Sequence, residues 1–244
     1  MSARKKPSKS AYTPEKPSSS ATYILGAVAV LVAAVAVVGM VMWQQRTSAP
    51  VDEGYGSVQA APVALAEDGV ITLGYPEAPR SIMIFEDHMC DGCQAFERLY
   101  GQHIARVVDE GEIRVDYHSL NFLDPASSSG SYSTRAAAAA ECVAETGDGA
   151  AFSAFHAAAY EAKPRSGEDR SNDELAELAR DAGASDTAVE CIATGAREEA
   201  AREHADLARA AMDAAGGEGT PTVAANGQII DWNNRNWLND LIGE

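Results

Sequence analysis

The stretch FEDHMCDGCQAFERL, residues 85–99, is the most informative part of the sequence for predicting the fold. It begins at the end of the apolar run Ser81–Phe85, which is typical of a buried strand, and it contains two cysteines separated by two residues, Cys90 and Cys93. Apolar residues at roughly helical spacing predict a helix from this pair to about Val108. The pattern therefore predicts a strand that leads into a helix with Cys-x-x-Cys at its first turn.

The two cysteines at the start of a helix favour redox chemistry. The unpaired N–H groups and the dipole of a helix N-terminus stabilise a thiolate on Cys90, and Cys93 is placed to close a disulfide with it. Zinc would need four ligands, usually two such pairs, whereas the other cysteines, Cys142 and Cys191, stand singly. A purely structural bond would gain little from so short a loop. We therefore expect a redox pair and no metal.

Charge is distributed unevenly along the chain. The formal net charge is −17 over 244 residues, although residues 1–20 are basic, so the acidity lies in the rest of the chain. An acidic domain repels phosphate backbones, which argues against nucleic-acid binding.

Residues 22–44 predict a transmembrane helix. No charged residue occurs from Tyr23 to Trp43, and at ~1.5 Å per residue this run is ~30 Å long, the thickness of the hydrocarbon core. The basic residues 1–20 precede the run, so the positive-inside rule places them in the cytoplasm and the rest of the chain outside. A cleaved signal peptide would be shorter and would end at a small-residue site, which is missing here. A helix buried in a soluble domain is the least favoured alternative.

The composition along the chain predicts how it divides into a tail, a linker and a folded domain. Residues 1–20, rich in Ser, Lys and Pro, are expected to be a disordered cytoplasmic tail, and residues 45–66 a linker. The remaining residues, 67–244, are expected to form one α/β domain with a helical insertion at about 130–215. The elements expected around this insertion are strands at 70–73, 81–85 and 113–118, a hairpin over 222–230 with its turn at Asn226-Gly227, and a last helix at 233–242.

A second motif, Gly219-Thr220-Pro221-Thr222, stands directly before the hairpin. From the residues alone it is either an ordinary turn with a trans peptide bond, which is the default, or a cis Thr220–Pro221 bond. Together, Cys-x-x-Cys, Asp87 three residues before it, the helical insertion and Gly-Thr-Pro-Thr resemble the DsbA-like thiol-disulfide oxidoreductases of the thioredoxin-fold superfamily. The resemblance covers roughly residues 65–244 and is strongest to the membrane-tethered forms of Gram-positive cell envelopes.

This resemblance implies a thioredoxin-like fold and a set of roles. Cys90 would form the mixed disulfide and Cys93 would resolve it. Pro221 would be cis and pack beside the disulfide, while the backbone of Thr220 meets the substrate chain. Exported cysteine-containing proteins would be the substrates, no cofactor would be needed, and a net oxidase would be regenerated by a membrane partner that passes electrons to quinone.

The resemblance also suggests a second, structural disulfide between Cys142 and Cys191 in the insertion. Closing a loop of this size would stabilise the fold by about 4 kcal/mol in the chain-entropy model. Two buried free thiols are the alternative, which is less common outside the cytoplasm.

Three positions depart from the family pattern. Asp91 stands where many relatives have Pro, Gly92 where the strongest oxidants have a thiolate-stabilising His, and Ile84 where an acid commonly assists proton transfer. Asp91 would disfavour a neighbouring thiolate by charge repulsion, although an acid also suits a helix N-terminus.

His88 and Glu86 are candidate replacements for the missing groups. A protonated His88 near Cys90 would stabilise the thiolate, and Glu86 would shuttle protons, although either could equally be an ordinary loop residue. The other histidines are expected to be structural: His103, His118, His156 and His204.

The sequence thus predicts a membrane-anchored, extracytoplasmic thiol-disulfide oxidoreductase. An envelope reductase or isomerase shares the same motif and differs only in the direction of electron flow. A non-catalytic binding or chaperone module is the alternative from another class, because a fold does not guarantee an activity.

Overall fold

The structure is a computed structural model that describes residues 53–243 and, nearer the N-terminus, residues 28–30, 32 and 34, which are helical. The chain divides into two units, residues 1–48 and 49–244. The predicted tail and most of the predicted transmembrane segment lie outside the described residues. Among the residues that are described, no helix combines the length and apolar character needed to cross a bilayer.

In the part of the chain that the structure describes, six strands form one mixed sheet. They are β1 Val63–Leu65, β2 Ile71–Leu73, β3 Arg80–Glu86, β4 Ile113–Ser119, β5 Thr222–Ala225 and β6 Gln228–Ile229. Their spatial order is β1-β2-β4-β3-β5-β6. The central pair β3 and β4 is parallel, and every other neighbouring pair is antiparallel. The strand that precedes the two cysteines therefore lies inside the sheet.

The helices follow the order predicted for a thioredoxin-like domain with a helical insertion. Helix α1, Asp91–Asp109, connects β3 to β4. After a 3-10 turn at Asp124–Ala126, five helices form the insertion, and one short helix follows the hairpin: α2 Tyr132–Ala144, α3 Gly149–Glu161, α4 Asn172–Asp181, α5 Asp186–Thr194, α6 Glu198–Ala215 and α7 Trp237–Ile242.

Helices cover both faces of the sheet, and β3 supplies buried apolar side chains to each face, because successive residues of a strand point to opposite sides. Ile82 and Ile84 are fully buried in the main core, which also contains Phe96 of α1. Phe85 points the other way and packs in a smaller cluster with Met212 of α6. Both faces of β3 are therefore packed, and the two cysteines follow its carboxyl end.

The predicted linker at 45–66 differs from the structure in its C-terminal part. Val58 is buried, its N–H donates to Ser153 Oγ at 3.1 Å, and β1 extends the sheet. The carboxylate of Asp109 accepts the backbone N–H groups of residues 59–61 at 2.6–3.1 Å. Composition alone suggested a tether, because small residues that pack against a distant partner look like linker residues.

The C-terminal region also differs in detail. The last helix begins at Trp237 instead of residue 233, because Asp231 and Asn234 form side-chain turns with the N–H groups of Asn233 and Asn236. The turn of the hairpin lies where the sequence predicts it, with Asn226-Gly227 in the left-handed region, φ 52° and 74°.

A disulfide joins Cys142 of α2 to Cys191 of α5, with the two Cα atoms 5.9 Å apart. The sequence separation is 49 residues, and both residues lie in the insertion. The bond therefore fastens two helices of the insertion to each other and is remote in sequence from the Cys-x-x-Cys motif.

Replacing Cys142 and Cys191 by Ala should lower the free energy of unfolding by about 2–4 kcal/mol, because the unfolded chain regains the entropy of an open loop. Urea unfolding of residues 49–244 would measure it in a Cys90→Ser/Cys93→Ser background, which leaves this bond as the single disulfide. A reductant should bring the parent down to the variant. Equal unfolding midpoints in the two proteins would rule out the stabilising role.

Candidate active site

The two cysteines of the motif occupy different environments on one helix. Cys90 is the N-cap of α1, with extended backbone angles of φ −74° and ψ 126°, and is half-buried. Cys93 lies one turn further on and is buried. Both are free thiols in this structure. A sulfur that approaches from solvent can therefore reach Cys90 and not Cys93.

The segment before β5 completes the site. The Thr220–Pro221 peptide bond is cis, and Cys90 Sγ lies 3.3 Å from the carbonyl oxygen of Thr220. Pro221 lies directly against the motif: a Cβ on Gly92 would be 3.0 Å from Pro221 Cδ and 3.5 Å from Cys90 Sγ. The structure thus brings together Cys90, Thr220 and Pro221, which are separated by about 130 residues. It also gives a reason for Gly92, because a side chain there would press against the proline.

The pKa of Cys90 is lowered from 9.0 to about 5. A hydrogen bond from the Cys93 thiol is the largest cause, and hydrogen bonds from the Thr220 side chain and from the backbone N–H groups of Gly92 and Cys93 add to it, against the opposing effect of burial. The thiolate is therefore stabilised by local hydrogen bonds, without a histidine between the cysteines.

The pKa of Cys93 is shifted in the opposite direction to that of Cys90. Burial, followed by the hydrogen bond to Cys90 and the proximity of its charge, raises the pKa of Cys93 well above the ordinary value. At neutral pH the reduced pair therefore holds one proton, on Cys93, and one negative charge, on Cys90. This is the division of labour that an attacking and a resolving cysteine require.

Asp87 supports the loop that leads to Cys90. Its carboxylate is fully buried and accepts hydrogen bonds from Ser133 Oγ at 2.7 Å and from the N–H groups of Met89 at 2.8 Å and Leu123 at 2.9 Å. Burial raises its pKa to about 6 in spite of these hydrogen bonds. Asp87 thus connects the motif loop to the start of the insertion.

The low pKa of Cys90 predicts how the reduced protein reacts with iodoacetamide. The alkylation rate of Cys90 should rise with pH around a midpoint near 5, because the thiolate is the nucleophile. Mass spectrometry of the Cys90 peptide at each pH would follow the reaction. A midpoint above pH 8 would show an ordinary thiol and contradict the assignment.

The same shift links the stability of the reduced form to pH. Since the pKa of Cys90 is lower in the folded than in the unfolded chain, its stabilising effect is complete above about pH 9 and is lost as the pH falls through about 5. The melting temperature of the reduced form should therefore fall relative to that of the oxidised form between pH 7 and pH 4. Circular dichroism of both forms measures this difference, and no change with pH would contradict the shift.

His88 does not match the role that the sequence suggested. Its side chain is fully buried, its ring stacks on Tyr160 with centroids 5.1 Å apart, and neither ring nitrogen has a hydrogen-bond partner among the described residues. Burial lowers its pKa to about 4. His88 is therefore neutral at physiological pH and is not a cationic partner for the Cys90 thiolate.

Glu86 belongs to a buried ionic cluster that the sequence did not reveal. Its Oε1 lies 2.8 Å from Nε2 of His156 on α3, and the opposite nitrogen of that ring, Nδ1, lies 3.8 Å from Oε2 of Glu97 on α1. Burial disfavours the charge on His156, yet the two carboxylates raise its pKa. Burial also acts to raise the pKa of Glu86, but the charge and hydrogen bond of His156 hold it below the usual range. Burial raises the pKa of Glu97.

This cluster has a composition that metals also use. One ligand atom from each of Glu86, Glu97 and His156 lies within 4.8 Å of the others. However, the imidazole directs opposite nitrogens at the two carboxylates. That geometry suits an imidazolium held between two acids, and a cation would have to displace its proton.

Two further contacts attach the insertion to the first turn of α1. Lys163 Nζ lies 2.7 Å from Asp91 Oδ1, and Gln94 Nε2 donates to the carbonyl oxygen of Tyr160 at 2.6 Å. Beside them, a cavity of about 350 Å³ is lined by Tyr55, Asp91, Gln94, Ala95 and Arg98. The edge of the site is therefore built by α1 together with the end of α3.

Most of these supporting residues could not be recognised from the sequence. Glu97 could have been found, because it stands four residues after Cys93 on the same helix face. His156 was expected to be structural, and Lys163 was not considered. Nothing in the spacing of either residue connects it with a motif more than 60 positions away.

Comparison with known proteins agrees with this geometry. The chain matches the family model described as thioredoxin over residues 66–238. Over 202 residues it is 36% identical to the serine/threonine-protein kinase PknE of Mycobacterium tuberculosis, an alignment that covers 81% of this chain and 35% of the kinase. The chain thus spans about a third of the length of the curated relatives that it matches.

Solved structures give the same result. MdbA, a thiol-disulfide oxidoreductase from Corynebacterium diphtheriae, superposes with a TM-score of 0.66 at 24% identity, covering 78% of this chain and 96% of MdbA. Oxidised DsbA from Mycobacterium tuberculosis superposes with a TM-score of 0.59 at 31% identity, covering 76% of this chain and 94% of DsbA. With a Cys-x-x-Cys pair beside a cis-proline, this chain belongs to the thioredoxin family and, within it, to the DsbA-like thiol-disulfide oxidoreductases.

Proposed function

We propose that this protein is a membrane-anchored, extracytoplasmic enzyme that forms disulfides in exported proteins. The observation that carries the proposal is the asymmetry of the pair: Cys90 is accessible with its pKa lowered to about 5, while Cys93 is buried with its pKa raised. A stabilised Cys90 thiolate stabilises the reduced enzyme, and an enzyme with a stable reduced form is an oxidant.

Oxidation of a substrate proceeds in two exchanges. In the first, a substrate thiolate attacks Cys90 Sγ of the oxidised enzyme, the Cys90–Cys93 bond breaks, and its electron pair leaves on Cys93. In the second, another substrate thiolate attacks the substrate sulfur of the mixed disulfide, and Cys90 leaves as a thiolate. The low pKa of Cys90 makes it a good leaving group in this second exchange.

Thr220 and Pro221 position the substrate. The carbonyl oxygen of Thr220 lies 3.3 Å from Cys90 Sγ, so a chain bonded to this sulfur would run along the Thr220–Pro221 segment. The neighbouring cavity of about 350 Å³ would accept a side chain of the substrate.

Cys93 must gain a proton when it leaves and lose one when the enzyme is reoxidised. Glu86 lies close enough for its charge to act on Cys93, and it is joined through His156 to Glu97. We assign to Glu86 and this cluster the proton transfer that a family acid at position 84 would otherwise assist, since Ile84 cannot supply it.

Replacing Cys93 with Ala should trap substrates. The variant cannot hold the Cys90–Cys93 bond, but its Cys90 thiolate can attack a disulfide of a substrate, whose other sulfur leaves as a thiolate. Because the enzyme then has no second thiol to displace the substrate from Cys90, adducts that disappear on reduction should accumulate. Non-reducing gel electrophoresis and mass spectrometry of envelope fractions would detect them, with Cys90→Ala/Cys93→Ala as the control. The absence of adducts from the envelope, with the variant folded, would contradict the proposed activity.

The direction of electron flow is tested by the reduction potential. With the pKa of Cys90 at about 5, we expect a value between those of thioredoxin, about −270 mV, and DsbA, about −120 mV. Equilibration with glutathione buffers, followed by alkylation and mass spectrometry, would measure it. A potential at or below that of thioredoxin would favour the reductase or isomerase alternative.

The membrane location rests on the sequence of residues 22–44. We propose that this segment anchors the enzyme with its N-terminus in the cytoplasm, which places the disulfide chemistry in a compartment where disulfides persist. A membrane oxidase that passes electrons to quinone would then regenerate the Cys90–Cys93 bond, as the resemblance implies.

A binding module that does not catalyse exchange is the second candidate. It is favoured by the 36% identity to part of a serine/threonine-protein kinase, since a domain shared with a much longer protein can also serve recognition there. Full envelope function in a Cys90→Ser/Cys93→Ser variant would support this candidate over the enzyme.

A further inference from the structure

Asp91 presents an electrostatic problem next to the reactive sulfur. It follows Cys90 directly in the chain, and its side chain is 95% exposed. An uncompensated carboxylate there would oppose both the Cys90 thiolate and an arriving substrate thiolate, because all three carry negative charge.

Lys163 lies at this carboxylate. Its side chain is only 6% exposed, and its Nζ reaches 2.7 Å from Asp91 Oδ1 and 3.3 Å from the carbonyl oxygen of Pro164. A lysine with a buried stem is held in one place and brings its charge to the rim. Its position beyond the end of α3 makes it part of the insertion, far from the motif in sequence.

A second contact holds the same two segments together. Gln94 Nε2 donates to the carbonyl oxygen of Tyr160, which lies near the C-terminal end of α3. This hydrogen bond does not involve Asp91, so the end of α3 stays against the first turn of α1 when the ion pair is removed. Substitutions of Lys163 or Asp91 therefore change the local charge more than the packing of α3 against α1.

We propose that Lys163 is a positioning residue that holds the Asp91 carboxylate and neutralises it, so that Cys90 keeps its reactivity in spite of the acid beside it. The inference rests on the proposed exchange at Cys90 and adds a residue that no comparison assigns. Other charged groups around the pair are Arg98 and Glu161, which both act on Tyr55 at the neighbouring cavity, and Asp87, whose buried carboxyl interacts with Cys90. Lys163 is the cation that pairs directly with Asp91 among the described residues.

The test is a charge cycle that uses the reduced full-length protein. Lys163→Met removes the cation and keeps an apolar stem of similar length, Asp91→Asn removes the anion, and a third variant carries both changes. The readout is the rate at which iodoacetamide alkylates Cys90 as a function of pH, with mass spectrometry of the Cys90 peptide. This readout needs no substrate, so it can fail separately from the proposed enzymatic function.

The expected results have opposite signs for the two single variants. At pH values below the midpoint, Lys163→Met should slow alkylation of Cys90 by about threefold and Asp91→Asn should accelerate it by about threefold, as expected of an ion pair near the surface. The double variant should return to within about twofold of the wild type, because a neutral pair replaces a neutral pair. A threefold change in the thiol-disulfide equilibrium corresponds to about 14 mV in reduction potential. The reduction potential of Lys163→Met should therefore be more negative than that of the wild type by about this amount.

Two controls separate charge from packing. Lys163→Arg keeps the cation and should retain the wild-type alkylation rate. Arg106→Met removes a cation from the opposite end of α1, where Arg106 pairs with Glu110 at 2.9 Å, and should also leave the alkylation rate of Cys90 unchanged. If Lys163→Met unfolds the protein, Lys163→Gln serves in its place, with far-UV circular dichroism as the check. An unchanged pH profile in a folded Lys163 variant, or a double variant as slow as Lys163→Met, would overturn the proposal.

Discussion

The contact between the first turn of α1 and the Thr220–Pro221 segment is the constraint on which the site depends. Pro221 lies against Gly92 so closely that a Cβ at position 92 would be 3.0 Å from its Cδ, and the Thr220 carbonyl oxygen reaches within 3.3 Å of Cys90 Sγ. This approach is possible because β5 pairs with β3, which sets the end of one segment beside the start of the other. A side chain at position 92 would be in tight contact with Pro221, and the chemistry of the motif follows from what surrounds it.

Two thiols one helical turn apart acquire opposite properties from their surroundings. Cys90 receives hydrogen bonds at a helix N-terminus, which lower its pKa, while burial raises the pKa of Cys93. Their mutual hydrogen bond strengthens the difference, because the proton on Cys93 stabilises the charge on Cys90. The difference between the two thiols thus comes from hydrogen bonds at the helix N-terminus and from burial one turn further on.

The helical insertion contributes to the site as well as to the core. His156 of α3 lies between the two buried acids Glu86 and Glu97, and Lys163 pairs with Asp91 of the motif. The disulfide between Cys142 and Cys191 fastens the insertion internally, and Asp87 joins the motif loop to its first helix through Ser133. Electrostatic balance at the motif is therefore shared between the thioredoxin-like core and a segment inserted into it.

Local patterns in the sequence determined the elements and the reactive pair. The apolar run before Cys90, the helical spacing after it and the turn at Asn226-Gly227 are read over a few residues, so they predict strand, helix and hairpin correctly. The burial of Val58, Ala61 and Val63 was not predicted, because composition does not reveal a distant partner such as Asp109. Residue patterns left the Thr220–Pro221 bond open between trans and cis, and the cis form that the structure has was expected from the family resemblance alone. The neutral state of His88 and the cluster around His156 arise only in the tertiary structure. Each depends on desolvation or on charges from segments far apart in the chain, and such effects exist only once the fold has brought those segments together.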